Sequence, residues 1–162
     1  MNVKQRLLLL AGSGLLAALT ISGVSFYNQK LMAQQRREQA IVEAALRNHV
    51  DGDMMHDAIR ADVLAAIIAA RKADHEAGRA AQQELERHAE RFRRNVAENA
   101  ERPMNADVHK LLADIRPSLE NYIGSGQALT ARAMSDPESV AAQLPRFMES
   151  FSALEQSQDV LS

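Results

Sequence analysis

Residues 48–67 (NHVDGDMMHDAIRADVLAAI) carry ionisable side chains at the spacing of one helix face. At 100° per residue, these side chains fall within roughly a third of the helix circumference. They interrupt an apolar stripe that shares the same arc and comprises Val42, Leu46, Leu64 and Ile67. The ionisable members are His49, Asp53, His56, Asp57 and Arg60. Burying such groups without partners costs about 1–3 kcal/mol each, so we predict that they are paired or bind something.

Two histidines from other helices are predicted to join this group. If the first helix reverses near residue 73, His88 comes level with about Asp57. If the second reverses near residue 102, His109 lies near the level of His49. The candidate ligand-binding set is therefore His49, Asp53, His56, Asp57, Arg60, His88 and His109.

Three kinds of chemistry fit this set. The first is a structural layer in which histidines and Asp–Arg pairs fix helix register or homodimer pairing. The second is a recognition site in which Arg60 and the histidines bind an anionic or polar small molecule. The third is a transition-metal or haem site, because imidazole and carboxylate ligands recur on successive turns. Its ligands would be His49, Asp53, His56 and His88.

Composition limits the classes of protein to which the chain can belong. The 162 residues are 46% hydrophobic but only 4% aromatic, which favours an all-α fold. The formal net charge of −2 gives no basic excess for nucleic acid. The chain has no Cys, so disulfides, thiolate metal sites and c-type haem attachment are excluded. No nucleophile elbow, phosphate-binding loop or HExxH motif is present, and we expect no enzyme.

A long uncharged segment lies near the N-terminus. Residues 7–27 contain no charged side chain, and about 20 apolar residues suffice to cross a membrane as a helix. The run is longer than that of a cleaved signal peptide, and Lys4 and Arg6 precede it. We predict a cytoplasmic segment at 1–6, a transmembrane signal anchor at 7–27 and a periplasmic domain at 28–162, at the bacterial inner membrane.

Apolar periodicity predicts four helices, most simply packed as an antiparallel four-helix bundle. The expected breaks are at 71–79, with Asp74 as a cap, at Pro103 with Asn105 as a cap, and at 135–138, where Ser135 or Asp136 caps. The third and fourth helices carry one apolar stripe each: Val108, Leu112, Ile115, Leu119, Tyr122 and Leu129, then Val140, Leu144, Phe147, Phe151, Leu154 and Leu161. The sequence ends within a helical pattern, so we expect a truncation before a second membrane helix.

Three stretches resemble the N-terminal periplasmic sensor region of bacterial methyl-accepting chemotaxis proteins. They are DMMHDAIRADVLAAI (53–67), DIRPSLENYIGSGQALT (114–130) and SDPESVAAQLPRFMESFSALE (135–155). The resemblance implies a homodimer that passes ligand occupancy across the membrane by helix displacement. It also implies a second membrane helix, a HAMP linker and cytoplasmic signalling partners reached through missing C-terminal regions.

We therefore expect the ligand-sensing input domain of a transmembrane chemoreceptor. The alternatives are a signal-anchored periplasmic metal- or haem-binding bundle, the input module of a sensor kinase or diguanylate cyclase, and a structural coiled-coil adaptor. The sequence does not identify the ligand.

Overall fold

The computed structural model describes residues 2–159, apart from the side chains of residues 6, 9, 11, 17, 134, 141 and 159. Over this range the chain forms four helices and no strand, which confirms the all-α class. The helices are α1 (Val3–Arg71), α2 (His75–Glu101), α3 (Ala106–Ser135) and α4 (Pro137–Asp159). Leu161, expected on the last helix, lies outside the described residues. The chain divides into two compact units, Met1–Glu43 and Ala44–Ser162.

The first unit consists of the N-terminal part of α1. Ten of the large apolar side chains described between residues 7 and 27 are exposed: Leu7, Leu8, Leu10, Leu15, Leu16, Leu19, Ile21, Val24, Phe26 and Tyr27. A search of the described residues finds no helix with a stretch long and apolar enough to cross a membrane, in contrast to the span expected at 7–27.

The turn between α1 and α2 lies where the sequence predicts it. Helix α1 ends at Arg71, and Ala73 adopts a left-handed conformation with φ 58°. The Asp74 carboxylate then accepts a hydrogen bond of 3.0 Å from the backbone N–H of Ala77. The expected N-cap at Asp74 is therefore confirmed.

Local signals also place the other two breaks correctly. The side chain of Asn105 accepts a hydrogen bond of 2.9 Å from the backbone N–H of Val108 and caps α3. Asp136 accepts one of 3.3 Å from the backbone N–H of Ser139, and α4 begins at Pro137. Proline suits the first turn of a helix because its missing N–H would have no helical partner there.

The second unit has one hydrophobic core to which all four helices contribute. Gly126 on α3 lies where the four helices meet, because a Cβ added there would lie 3.3 Å from Val63 on α1, 3.4 Å from Phe147 on α4 and 3.5 Å from Leu85 on α2. The buried core residues are Met55, Ile59, Val63, Ile67, Leu85, Ala89, Phe92, Ile115, Leu119, Tyr122, Ile123, Leu129, Ala133, Val140, Phe147, Phe151 and Leu154.

Helix α2 of this unit runs antiparallel to the core-facing part of α1 and to α3. Asn48 of α1 bonds to Glu98 of α2, and Asp62 of α1 contacts His88 of α2, so residue numbers rise along α1 as they fall along α2. The same holds between α2 and α3, in the pairs Glu86–Gln127 and Arg93–Glu120.

The face that α1 turns to the core differs from the predicted stripe. Val42 and Leu46 are 64% and 59% exposed, and Leu64 is also exposed, whereas Ile59 and Val63 are fully buried. Of the predicted stripe, only His56 and Ile67 are buried. The observed core face is rotated by about a quarter turn at 100° per residue. The expectation was wrong because α1 carries apolar residues on more than one face.

Candidate functional site

His56 is the one candidate site residue that the structure buries completely, at 2% exposure. Its ring stacks on Phe151 of α4, with centroids 3.9 Å apart and planes 9° apart. It also meets the edge of Tyr122 of α3, at a centroid distance of 4.9 Å. These two contacts join α1 to α3 and to α4 through one imidazole.

Two hydrogen bonds hold this aromatic cluster of His56, Tyr122 and Phe151 together. The imidazole Nε2 lies 3.1 Å from the Phe151 carbonyl oxygen. Because a carbonyl only accepts, Nε2 carries the hydrogen and donates. The Tyr122 hydroxyl in turn donates to the His56 carbonyl oxygen at 2.7 Å. Both acceptors are backbone carbonyls. Each hydrogen bond therefore joins a side chain of one helix to the backbone of another.

Burial controls the protonation of the cluster. It lowers the pKa of His56, because desolvation penalises the imidazolium form; the hydrogen bond to Phe151 and the nearby carboxylates of Asp57 and Glu155 oppose this shift only partly. Burial also raises the pKa of the Tyr122 hydroxyl. The interior of the cluster is therefore uncharged near neutral pH.

Arg60 and Asp57 form the solvent-facing edge of the same cluster. The guanidinium carbon of Arg60 lies 4.3 Å from the centroid of the Phe151 ring, within the range of a cation–π contact. Its Nη2 donates to the Asp57 carboxylate at 2.8 Å. Both side chains are accessible to solvent. Arg60 is thus solvent-accessible but already forms an ion pair with Asp57.

A second polar cluster joins α1 to α2 around Asp51, which the sequence-based candidate set did not include. Asp51 accepts two hydrogen bonds from Arg91, at 2.7 and 2.5 Å, and one of 2.6 Å from the buried amide of Asn95. Burial raises the pKa of Asp51, but the hydrogen bonds from Arg91 and Asn95 outweigh it and lower the pKa overall. Asp51 was missed because it lies outside the predicted polar arc.

His88 pairs with a different residue of α1 from the one expected. Its Nδ1 lies 2.7 Å from the Asp62 carboxylate, more than one helical turn from the predicted level of Asp57. Burial raises the pKa of Asp62, an effect that the hydrogen bond from His88 opposes. Asp62 was not among the predicted site residues because it lies on the side of α1 opposite the predicted stripe.

The structure therefore brings together only part of the predicted set. His56, Asp57 and Arg60 lie in one cluster, whereas His88 lies on the α2 side of α1. Asp53 is exposed, and His49 and His109 are half-buried. Within the described part of the chain, no three His, Asp or Glu side chains form a group that could hold a metal ion. The metal-ligand set predicted from His49, Asp53, His56 and His88 is not assembled there.

No protein-family model matches the chain, and no curated protein or solved structure matches it either.

Proposed function

We propose that this chain is the ligand-sensing input domain of a transmembrane chemoreceptor. Residues 7–27 would be its anchor, and residues 44–159 would form an antiparallel four-helix bundle in the periplasm. The observation that carries the proposal is the buried contact of His56 on α1 with Tyr122 on α3 and Phe151 on α4. The resemblance to chemoreceptors implies that a helix displacement carries the signal across the membrane.

The exposed apolar surface of the first unit supports the anchor. Ten large apolar side chains between Leu7 and Tyr27 are exposed, and the segment contains no charged residue. Monomeric soluble proteins rarely expose contiguous apolar patches above a few hundred Å². A lipid bilayer is the environment that would cover such a segment on all sides at once.

The exposed apolar face of α1 in the second unit supports a homodimer. Val50, Met54, Leu64 and Ile68 are all exposed and lie within one half of the helix circumference. This α1 face points away from the bundle's own core. Pairing α1 with α1 of a second copy would bury the same residues twice around a two-fold axis.

The aromatic cluster supports coupling between the bundle and α1. Tyr122 and Phe151 hold His56 by stacking and by hydrogen bonds to helix carbonyls. A ligand that shifts α3 or α4 would therefore act on α1 through contacts that are buried and directional. A purely structural adaptor needs no such response to a small molecule.

Cysteine labelling in cells tests the anchor and the location of the bundle. The chain has no Cys, so each introduced cysteine reports alone. Ala100 on α2 is exposed, and so is Asn2 ahead of the uncharged segment. With the outer membrane permeabilised, a membrane-impermeant maleimide should label Ala100→Cys in intact cells and Asn2→Cys only after lysis of the inner membrane. Protection of Ala100→Cys until lysis would contradict the proposal.

Disulfide cross-linking in isolated membranes tests the homodimer. Ile68→Cys on the exposed α1 face should form a covalent dimer under mild oxidation. Ala113→Cys, on an exposed position of α3, is the matched control and should stay monomeric. Equal cross-linking of the two variants would show random collision instead of a specific α1 interface.

A further inference from the structure

A groove between α3 and α4 combines an apolar floor with a cationic rim. Its volume is about 380 Å³, within the usual range of small-molecule sites. The buried side chains of Leu129 and Phe147 lie on its floor. Arg132 of α3 and Arg146 of α4 stand at its exposed rim. The groove thus offers an apolar surface directly beside two positive charges.

The two arginines of this α3–α4 groove have no carboxylate partner in the described part of the chain. Neither Arg132 nor Arg146 forms an ion pair there, and no acidic residue lines the groove. Its other polar groups are largely engaged, because the Ser125 hydroxyl donates to the Tyr122 carbonyl and pairs with the Ser150 hydroxyl. The Gln143 amide, which also lines the groove, donates to the Ser139 carbonyl. The two guanidinium groups are therefore the charged donors that the groove offers a ligand.

Other arginines of the chain are less suited to an anion. Arg60 is already paired with Asp57. The groove between α2 and α3, of about 310 Å³, is lined by three arginines but also by two glutamates. One of these, Glu120, accepts hydrogen bonds from Arg93, which lowers the pKa of its carboxyl. The α3–α4 groove is the one of the two that is lined by arginines and by no carboxylate.

We propose that the α3–α4 groove binds a small organic carboxylate with an apolar body. The carboxylate would lie between Arg132 and Arg146, since a guanidinium presents paired N–H donors that match its two oxygens. The apolar body would cover Leu129 and Phe147. This inference rests on the proposed sensory function, for which it supplies the ligand class and the place of binding.

The groove is connected to α1 through the aromatic cluster. The Phe147 ring stacks on Tyr122, with centroids 5.3 Å apart and planes 22° apart. The Tyr122 hydroxyl donates to the His56 carbonyl oxygen on α1. Phe147, Tyr122 and His56 are thus in contact one after another. A ligand on Phe147 would touch the first of them, and the last lies on α1, the helix proposed to carry the signal.

Binding to the purified full chain tests the site. Benzoate, phenylacetate and hexanoate serve as carboxylates with apolar bodies, and benzamide is the uncharged counterpart of benzoate. We expect saturable binding of at least one carboxylate by titration calorimetry and no binding of benzamide. Arg132→Gln and Arg146→Gln should each weaken that binding about tenfold or more, because a hydrogen bond to a charged group is lost.

Two variants control for net charge and for groove shape. Arg116→Gln removes an exposed arginine of the α2–α3 groove and should leave carboxylate binding unchanged. Ala128→Glu places a carboxylate at an exposed position of the α3–α4 groove and should abolish binding without disturbing the core. Equal weakening in Arg116→Gln, or binding of benzamide as tight as that of benzoate, would overturn the site.

Further results would distinguish failure of the carboxylate site from failure of the proposed sensory function. Absence of saturable binding for all three carboxylates would overturn the inference. So would binding of inorganic phosphate or succinate alone, because neither has an apolar body. Each of these failures leaves the labelling and cross-linking results intact. Conversely, carboxylate binding by a chain whose Ala100→Cys is protected in cells would retain the site and refute the sensory role.

Discussion

Acidification should destabilise the second unit through the buried side chain of His56. In the folded chain its ring is 2% exposed and lies between Tyr122 and Phe151. A proton added to the ring must be held there without the solvation that water gives an imidazolium. The groups that face the ring from its own helix and from α4 include Asp53, Asp57 and Glu155, whose charges oppose the penalty without removing it.

Proton linkage sets the direction in which the free energy of unfolding changes with pH and the pH range in which it changes. Burial lowers the pKa of His56 in the folded state below its ordinary value of 6.5. The unfolded chain therefore binds a proton that the folded chain excludes, so the contribution of His56 is complete above pH 6.5 and is lost as the pH falls towards the folded-state pKa. The free energy of unfolding falls there by at most about 1.4 kcal/mol per pH unit for one proton.

The carboxyls of Asp51 and Glu120 titrate below this interval, and Asp62, whose pKa burial raises, is present in both the native chain and the His56 variant. Asp51 and Glu120 have lowered pKa values, so their stabilising contributions are lost only as the pH falls below about 4 to 4.5, the ordinary range for carboxyl groups. Between pH 6.5 and 5, the native chain and a His56 variant share the chain's four other histidines. The difference between their free energies of unfolding therefore reports the His56 imidazole alone.

Urea unfolding of the purified chain, followed by circular dichroism at several pH values from 7.5 to 5, measures the effect. His56→Gln should remove much of the loss of stability below pH 6.5. Tyr122→Phe is the matched control, because it removes the hydroxyl that donates to His56 but no group that titrates in this interval. It should cost about 1 kcal/mol at every pH. Parallel pH profiles for the native chain and His56→Gln would refute the reasoning.

Three further predictions concern local contacts, each checked by the change in free energy of unfolding. Asp51→Ala should cost about 2 kcal/mol, because the buried asparagine that donates to it loses its acceptor; a neutral effect would contradict the described hydrogen bond. Gly124→Ala should stabilise by up to about 1 kcal/mol, because nothing lies within 4 Å of the added methyl group. Gly52→Ala should show no such gain, because its Cβ would lie 3.1 Å from the buried Phe92 ring; equal gains in the two variants would count against that contact. Asp74→Ala should cost about 1 kcal/mol through loss of the α2 N-cap, and Asp74→Asn should keep most of that stability.

The helix breaks could be predicted because their signals are local. A short polar side chain at Asp74, Asn105 or Asp136 caps the following helix through a backbone N–H three residues ahead. Neither the donor nor the acceptor depends on a distant part of the chain. The same holds for the all-α class, which follows from composition and periodicity.

The core face of α1 could not be predicted in the same way. Helix α1 carries Ile59 and Val63 on one face and Val50, Met54 and Ile68 on another, so periodicity alone allowed more than one choice. Only packing against the other helices decides between them, and it buries the Ile59 and Val63 side while leaving the other face exposed. The second apolar face, which stays exposed, therefore made the core face ambiguous in the sequence.

The candidate site was predictable in part. His56, Tyr122 and Phe151 were each expected to face inward, but their mutual contact depends on helix register to within a fraction of a turn. The axial register of α2 against α1 also explains why His88 contacts Asp62 instead of lying level with Asp57. Arg132 and Arg146 gave no signal, because single arginines on separate helices become neighbours only after folding.

The most direct test of the sensory role is a hybrid receptor. Residues 1–162 would be joined to the second membrane helix and cytoplasmic signalling region of a chemoreceptor that lacks its own input domain, and kinase activity would be measured in membranes. We expect that a compound which binds the purified chain also changes kinase activity, and that Tyr122→Phe weakens this change more than it weakens binding. A hybrid that controls its kinase normally, and binds that compound without any change in activity, would contradict the sensory role.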